Sequence, residues 1–308
     1  MSAPVFIALP GDEALAEKFA ESLGGEARAL EYRRFPDGES YLRLDAPLDH
    51  RRVVIVARLA RPDPKIPALL FAADLARDLG ADSVGLVAPY LPYMRQDIRF
   101  HPGEALTSVS FARWISYHFD WLVTVDPHLH RYDSLDQIYS IPSTVVPAAP
   151  ALAEWISANI RRPVVIGPDA ESAQWVEAVA ARAHVPWRVM RKQRFGDHDV
   201  HIVAPDLSGL EQHTPVLVDD IVSSGGTLAG AAKALVEAGL AAPKCVVVHG
   251  LFGRDSRKTL AAAGIERVVC TDSVDVPEGV VEVVPLLAPT VLRMIEDNMS
   301  HGSTAENE

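Results

Sequence analysis

Asp219 and Asp220 stand side by side at the end of an apolar run, and Gly225, Gly226 and Thr227 follow shortly after them. The whole stretch, Val216-Leu-Val-Asp-Asp-Ile-Val-Ser-Ser-Gly-Gly-Thr-Leu228, reads as a strand, an acidic pair, a small-residue turn and an Ala-rich helix over 226–238. The first N–H groups of a helix lack intrahelical partners, and the macrodipole there favours an anion. Glycines at such a turn let the backbone close on a phosphate. Neighbouring carboxylates accept hydrogen bonds from vicinal hydroxyls. An acidic pair beside a phosphate cradle suits a sugar phosphate. The plainer reading is an acidic strand–helix turn, which Gly-Gly-Thr alone would favour. The pattern G-x-x-x-x-G-K-[ST] is absent, which argues against a P-loop nucleoside triphosphatase.

Five other segments hold chemistry-bearing residues. Phe35-Pro-Asp-Gly-Glu-Ser-Tyr41 carries an aromatic ring with Asp37 and Glu39, and read alone it is a hairpin turn. Leu91-Pro-Tyr-Met-Arg-Gln-Asp97 follows a buried strand and places Arg95, Gln96 and Asp97 where ligands of open α/β sheets gather. Asp126-Pro-His-Leu-His130 also follows a strand; His128 there is either a metal ligand or a loop residue, and His130 beside it leaves the choice of ligand open. Val165-Ile-Gly-Pro-Asp169 presents a further carboxylate just before a helix. Arg191-Lys-Gln-Arg194 leaves a strand and enters Gly-Asp-His-Asp; Lys192 and Arg194 are either a charged surface loop or mobile cations over a polyphosphate.

Positioning these groups requires a regular scaffold, and the chain supplies one. Strand-length apolar runs at 5–9, 52–57, 83–91 and 121–125 alternate with helical-period segments at 14–23, 68–79 and 107–118. The second half repeats the scheme, with strands at 164–166, 187–190, 216–218, 244–251 and 267–271. Its helices are expected at 149–159, 171–183, 226–238 and 256–263. Such alternation with near-continuous apolar strands predicts doubly wound parallel sheets buried on both faces. Three prolines in 141–150 suggest a hinge between two α/β domains, one over 1–145 and one over 146–300. A last helix is expected at 289–298, packing against the first domain, and 301–308 reads as a polar tail.

With 308 residues there is ample chain for these cores, and the 23% charged and 48% hydrophobic content is that of a soluble protein. A formal charge of −12 argues against a nucleic-acid binder. Cys245 and Cys270 lie in apolar runs without metal-ligand spacing, which fits buried thiols in a reducing compartment. No signal peptide or membrane span is expected, so the cytoplasm is the default.

In their order along the chain these segments resemble the ribose-phosphate diphosphokinase family, the phosphoribosyl pyrophosphate (PRPP) synthetases, over roughly residues 3–295. The resemblance implies two phosphoribosyltransferase-like domains, each a mostly parallel sheet flanked by helices, in a homodimer or larger assembly. It implies ATP-binding roles for Phe35, Asp37, Glu39, Arg95, Gln96 and Asp97, and a Mg2+ link for His128 and Asp169. It makes Lys192 and Arg194 the catalytic cations, and Asp219, Asp220, Ser223, Ser224, Gly225, Gly226 and Thr227 the ribose 5-phosphate site. The implied reaction moves the diphosphoryl group of ATP to the anomeric hydroxyl of ribose 5-phosphate.

The chain also departs from that pattern. Ile98 follows Arg-Gln-Asp where common bacterial members have basic residues, and 129–139 replaces Gln-Ile-Gln-Gly-Phe-Phe. Ser-Ser-Gly-Gly in the sugar-phosphate loop is closer to archaeal-type members than to the Asp-Thr form of the regulated bacterial branch. These changes predict weakened control by ADP or phosphate and put hexamer formation in question. Two other readings share the loop. A phosphoribosyltransferase would not need the ATP segments, and a non-catalytic regulatory subunit would not need Lys192, Arg194, His128 and Asp169.

Overall fold

Runs of Val, Ile and Leu build two six-stranded parallel sheets. The computed structural model describes residues 2–45, 47–194 and 200–298, without the side chains of 192–194, 200 and 201. The expected tail at 301–308 lies outside the described residues. The chain opens with β1 (Val5–Ala8), α1 (Glu13–Leu23), β2 (Glu26–Arg28), β3 (Glu31–Arg34) and β4 (Ser40–Arg43). It continues through β5 (Arg52–Val56), α2 (Ile66–Asp78), β6 (Ser83–Val87), α3 (Thr107–His118), β7 (Trp121–Val125) and β8 (Ser143–Val146). Then come α4 (Ala149–Asn159), β9 (Pro163–Gly167), α5 (Ala173–Ala183), β10 (Trp187–Val189), β11 (Arg191–Arg194) and β12 (Val200–Val203). The last elements are β13 (Thr214–Val222), α6 (Gly226–Glu237), β14 (Lys244–Gly250), α7 (Ser256–Ala262), β15 (Val268–Thr271), β16 (Gly279–Val281) and α8 (Val284–Asp297).

The chain divides into two compact units: one holds residues up to Val146 together with α8, the other Pro147–Val283. The first sheet runs β2-β1-β5-β6-β7-β8 and the second β10-β9-β13-β14-β15-β16. The two orders correspond strand for strand. An antiparallel hairpin follows the second strand of each unit, β3 with β4 and β11 with β12. In each sheet the order reverses beside the first strand, at β1–β5 and β9–β13. Loops beyond the C-terminal strand ends at such a point form the ligand crevice.

Burial explains why these runs are strands. Val53 to Val56 are at most 1% exposed, as expected where helices cover both faces. Strand β6 carries Gly85, whose missing side chain leaves room for the fully buried Trp121 of β7; a Cβ there would come within 2.1 Å of the indole. Helix α1 buries Leu15, Ala16, Phe19 and Ala20 and stops at Gly24, which takes the left-handed conformation at φ 62. Cys245 and Cys270 are free and buried, and burial pushes both thiols up, Cys270 to about 12. Such thiols stay protonated and inert. Among the described residues no helix is long and apolar enough to cross a membrane.

The structure departs from the expected elements where exposure hides the pattern. β2, β3, β4, β8, β11, β12 and β16 were not legible as apolar runs. They are short, and those in the large sheets lie at or near an edge, so fewer of their side chains need to be apolar. The expected hinge at 141–150 contains β8, paired with β7 from Leu122↔Ser143 to Val125↔Val146. The second unit ends at Val283 and not at 300, because α8 packs against α1, β7 and β8. That helix begins five residues before the expected start, with Pro289 inside it. Burial of Leu287, Ala288, Val291, Met294 and Ile295 holds it across the hydrogen bond that proline cannot make.

Candidate functional site

In the second unit β13 runs on to Val222, past the 216–218 expected from its apolar run. Asp219 and Asp220 therefore lie inside the strand, on opposite faces. Pairing with β9 stops at Leu217↔Ile166, whereas pairing with β14 continues to Val222↔Gly250. The acidic pair thus sits where the β9 side of β13 is no longer covered by a strand. Asp220 is 7% exposed. Asp219 turns Oδ1 back to accept the Asp220 backbone N–H at 3.1 Å, which fixes the orientation of the first carboxylate.

The turn after β13 is held by its neighbour: Leu251 N–H donates to Val222 O at 2.9 Å and Gly253 N–H to Ser223 O at 3.0 Å. Gly225 caps α6 at φ 80, and a Cβ there would meet Leu260 Cγ at 3.0 Å. Both facts require glycine. The N-cap Gly225 offers no side chain to α6, and Ser224 Oγ accepts the Gly226 N–H only in a long bond of 3.4 Å. The helix start is therefore left to an outside acceptor, as a phosphate site needs. Ser223, Ser224, Gly226 and Thr227 border it.

Asp169 follows the C-terminal end of β9, two residues past Gly167, toward the same crevice. Its Oδ1 accepts Glu171 N–H at 3.1 Å, and its carbonyl accepts the Ser172 hydroxyl at 2.6 Å. Gly167 permits this fold-back, since a Cβ there would lie 2.4 Å from Ser172 Oγ. Lys192 and Arg194, expected in a loop, lie in β11, opposite Ile202 and Val200 of β12. Two residues apart on one strand, they share a face; their side chains lie outside the described residues. The hairpin is seated on α6, with Ile202 Cδ1 2.9 Å from where a Cβ of Gly230 would stand.

In the first unit Phe35, Asp37 and Glu39 form the turn of the β3–β4 hairpin. Phe35 N–H donates to Glu39 O at 2.8 Å, and Asp37 Oδ1 accepts Glu39 N–H at 3.2 Å. The Arg33 guanidinium sits 3.9 Å from the Tyr41 ring centroid and 4.7 Å from that of Phe35. Cation–π contact thus stiffens an exposed aromatic ledge. Beyond β6, Arg95 is exposed, whereas the next two residues are engaged within the unit. Thr107 Oγ1 donates to Gln96 Oε1 at 3.1 Å, and Arg131 donates to Asp97 Oδ1 at 2.8 Å. Beyond β7, the rings of His128 and His130 stack at 6.0 Å.

Among the described residues no three His, Cys, Asp or Glu side chains gather as a metal cage. Arg33, against the Phe35 and Tyr41 rings, and Arg131, bound to Asp97, hold these segments in place, and the sequence reading missed both. Arg131 lies in the segment that departs from the pattern, and an arginine close after a strand end was its one signal.

Residues 5–117 match the N-terminal domain of ribose phosphate pyrophosphokinase, and residues 134–284 match the phosphoribosyl transferase domain. A ribose-phosphate pyrophosphokinase of Methanopyrus kandleri is 34% identical over 279 residues, covering 90% of this chain and 94% of that protein. One from Halobacterium salinarum is 32% identical over 282 residues, covering 90% and 96%. The crystal structure of phosphoribosylpyrophosphate synthetase from Mycobacterium smegmatis shares the fold, with TM-score 0.82 at 23% identity, covering 97% of this chain and all of that one. With both domains matched in order and relatives above 30% identity along nearly its whole length, the chain belongs to the ribose-phosphate pyrophosphokinase family.

Proposed function

We propose that this protein transfers the β,γ-diphosphoryl group of ATP to the anomeric hydroxyl of ribose 5-phosphate, giving PRPP and AMP for nucleotide biosynthesis. One observation carries the reading: the uncapped α6 start behind Gly225, beside an acidic pair where β13 outruns β9. The carboxylates of Asp219 and Asp220 accept from the ribose hydroxyls, and the Ser223–Thr227 backbone holds the 5-phosphate. The anomeric oxygen then bonds to the β-phosphorus while the bond from that phosphorus to the α,β-bridging oxygen breaks, and AMP leaves. Positioning and charge neutralisation supply most of the acceleration in such transfers. Lys192 and Arg194 meet the charge that spreads over the moving group. Phe35, Asp37, Glu39, Arg95 and Gln96 hold ATP. By the family resemblance His128 and Asp169 would each help retain magnesium, which would neutralise phosphate charge and orient the phosphates. We take the working form to be a cytoplasmic homodimer or larger assembly, measurable by sedimentation; a monomer at working concentration would remove that part.

The test is AMP release from ATP and ribose 5-phosphate with magnesium and no nucleobase. Equimolar AMP and PRPP are expected. Pyrophosphate release that requires PRPP and a base would mark a phosphoribosyltransferase. A folded protein with neither activity would be a non-catalytic subunit.

Control by ADP is expected to be simple competition at the ATP site. In the replaced segment after His128, Arg131 is bound to Asp97 and lies 5.6 Å from the Phe100 ring centroid. An allosteric effector needs a separate site that distinguishes two states. Initial rates with ADP and phosphate varied separately, at rising ATP, decide it. ADP inhibition that saturating ATP leaves in place would overturn the expectation.

A further inference from the structure

Residues 95–97 leave a buried strand and are gripped on both sides. Before them, Tyr93 takes φ 63, a strained value for a side-chain-bearing residue, and its hydroxyl donates to Asp63 Oδ1 at 2.6 Å. Burial, then the Asp63 carboxylate, push this hydroxyl's pKa up, so it remains a donor. After them, Arg131 donates to Asp97 Oδ1 at 2.8 Å, and the Tyr132 hydroxyl reaches the Asp97 carbonyl at 3.3 Å. The start of α3 closes the grip, with Ser108 Oγ donating to Gln96 O at 3.0 Å. Tyr132 and Ser108 are themselves joined at 3.1 Å.

The burial is unequal. The Asp97 side chain is 2% exposed and that of Arg131 39%. A carboxylate so buried requires a partner. Its Oδ2 is enclosed and has no hydrogen-bond partner among the described residues, so Arg131 is its principal compensation. Arg131 in turn is flanked by the Phe100 ring.

We propose that Arg131 and Asp97 form a positioning pair that fixes the 95–97 loop for nucleotide binding, while Arg95 and the Gln96 amide make the contacts. The proposal rests on the ATP-dependent reading above. It assigns Asp97 a role inside the protein, and it gives the departing segment 129–139 a use in nucleotide binding.

The experiment is steady-state kinetics with each substrate varied, on Arg131→Ala, Arg131→Lys, Asp97→Asn and the Arg131→Ala/Asp97→Asn double variant. ATP affinity is read in parallel by calorimetry. Arg131→Ala is expected to raise the KM for ATP on the order of tenfold, because it strands a buried carboxylate. Turnover and the KM for ribose 5-phosphate should stay within about twofold of the parent. Arg131→Lys should recover part of the loss, and the double variant should be no worse than Arg131→Ala, since its asparagine carries no charge to strand. An unchanged KM for ATP in Arg131→Ala overturns the proposal. So does an Asp97→Asn loss that multiplies with that of Arg131→Ala, which would mean that Asp97 touches ATP directly. If Arg131→Ala fails to fold, Arg131→Lys and Asp97→Asn carry the comparison by the same criteria. A parent protein that binds ATP without releasing AMP counts against the proposed reaction, and the calorimetry still judges the pair.

Discussion

Replacing Lys192 by alanine is expected to lower kcat by about 10²–10³-fold, the usual size when one donor to a transition-state charge is removed. Both substrates should still bind with nearly parental affinity, because interactions gained mainly in the transition state act on kcat. The residue's place supports this. Lys192 stands in β11, one strand of a two-stranded hairpin outside the six-stranded sheet, seated on α6 through Ile202. A melting temperature equal to that of the parent is the control that separates this effect from a folding defect. Arg194, two positions on and on the same face, should behave similarly. The double variant should lose less than the product of the two single effects if both cations serve one charge. Full turnover in either single variant would remove that residue from the mechanism.

Asp220→Asn is expected to weaken ribose 5-phosphate binding by about 1.5–3 kcal/mol, the worth of a charge-assisted hydrogen bond, with ATP binding unaltered. Asparagine keeps the shape, and Asp220 is buried within β13, so the substitution tests charge without opening a cavity. Titration calorimetry with each substrate separates the outcomes. Equal weakening of both ligands would point to a general distortion of the strand. Unaltered sugar-phosphate affinity would dissociate the acidic pair from the ribose.

The large sheets were legible because strands such as β5 and β9 are covered on both faces and must be apolar throughout. Candidate residues at or near strand ends drew notice for a related reason, since polar residues that interrupt or follow an apolar run stand out; their roles remain proposals. Asp219, Arg95, His128 and Asp169 are all of this kind. Contacts made by distant residues were not legible. The length of β13 depends on β14 as a partner on one side only, which its own acidic residues conceal. Arg131 reads as one more surface cation until the fold brings it to Asp97, 34 positions away. The place of α8 could be suspected from its apolar spacing, but its start could not, since Pro285 and Pro289 obscure the first turns.

The strand-for-strand correspondence of the two units has a consequence for stoichiometry. The loop after β5 holds the position in the first unit that the Gly225 turn holds in the second. It has no glycine: Arg58-Leu-Ala-Arg-Pro-Asp-Pro-Lys65 leads directly into α2. Its own groups occupy the turn. Lys65 Nζ donates to Arg58 O at 2.6 Å, and Arg58 binds both carboxylate oxygens of the buried Asp12 at 2.8 and 2.5 Å. Internal cations and a carboxylate thus satisfy one another at the site equivalent to the phosphate cradle. On the proposed reading, a scaffold of this kind seats the sugar phosphate at the Gly225 turn of one copy and leaves the other copy's strand-end loops to diverge toward a different ligand.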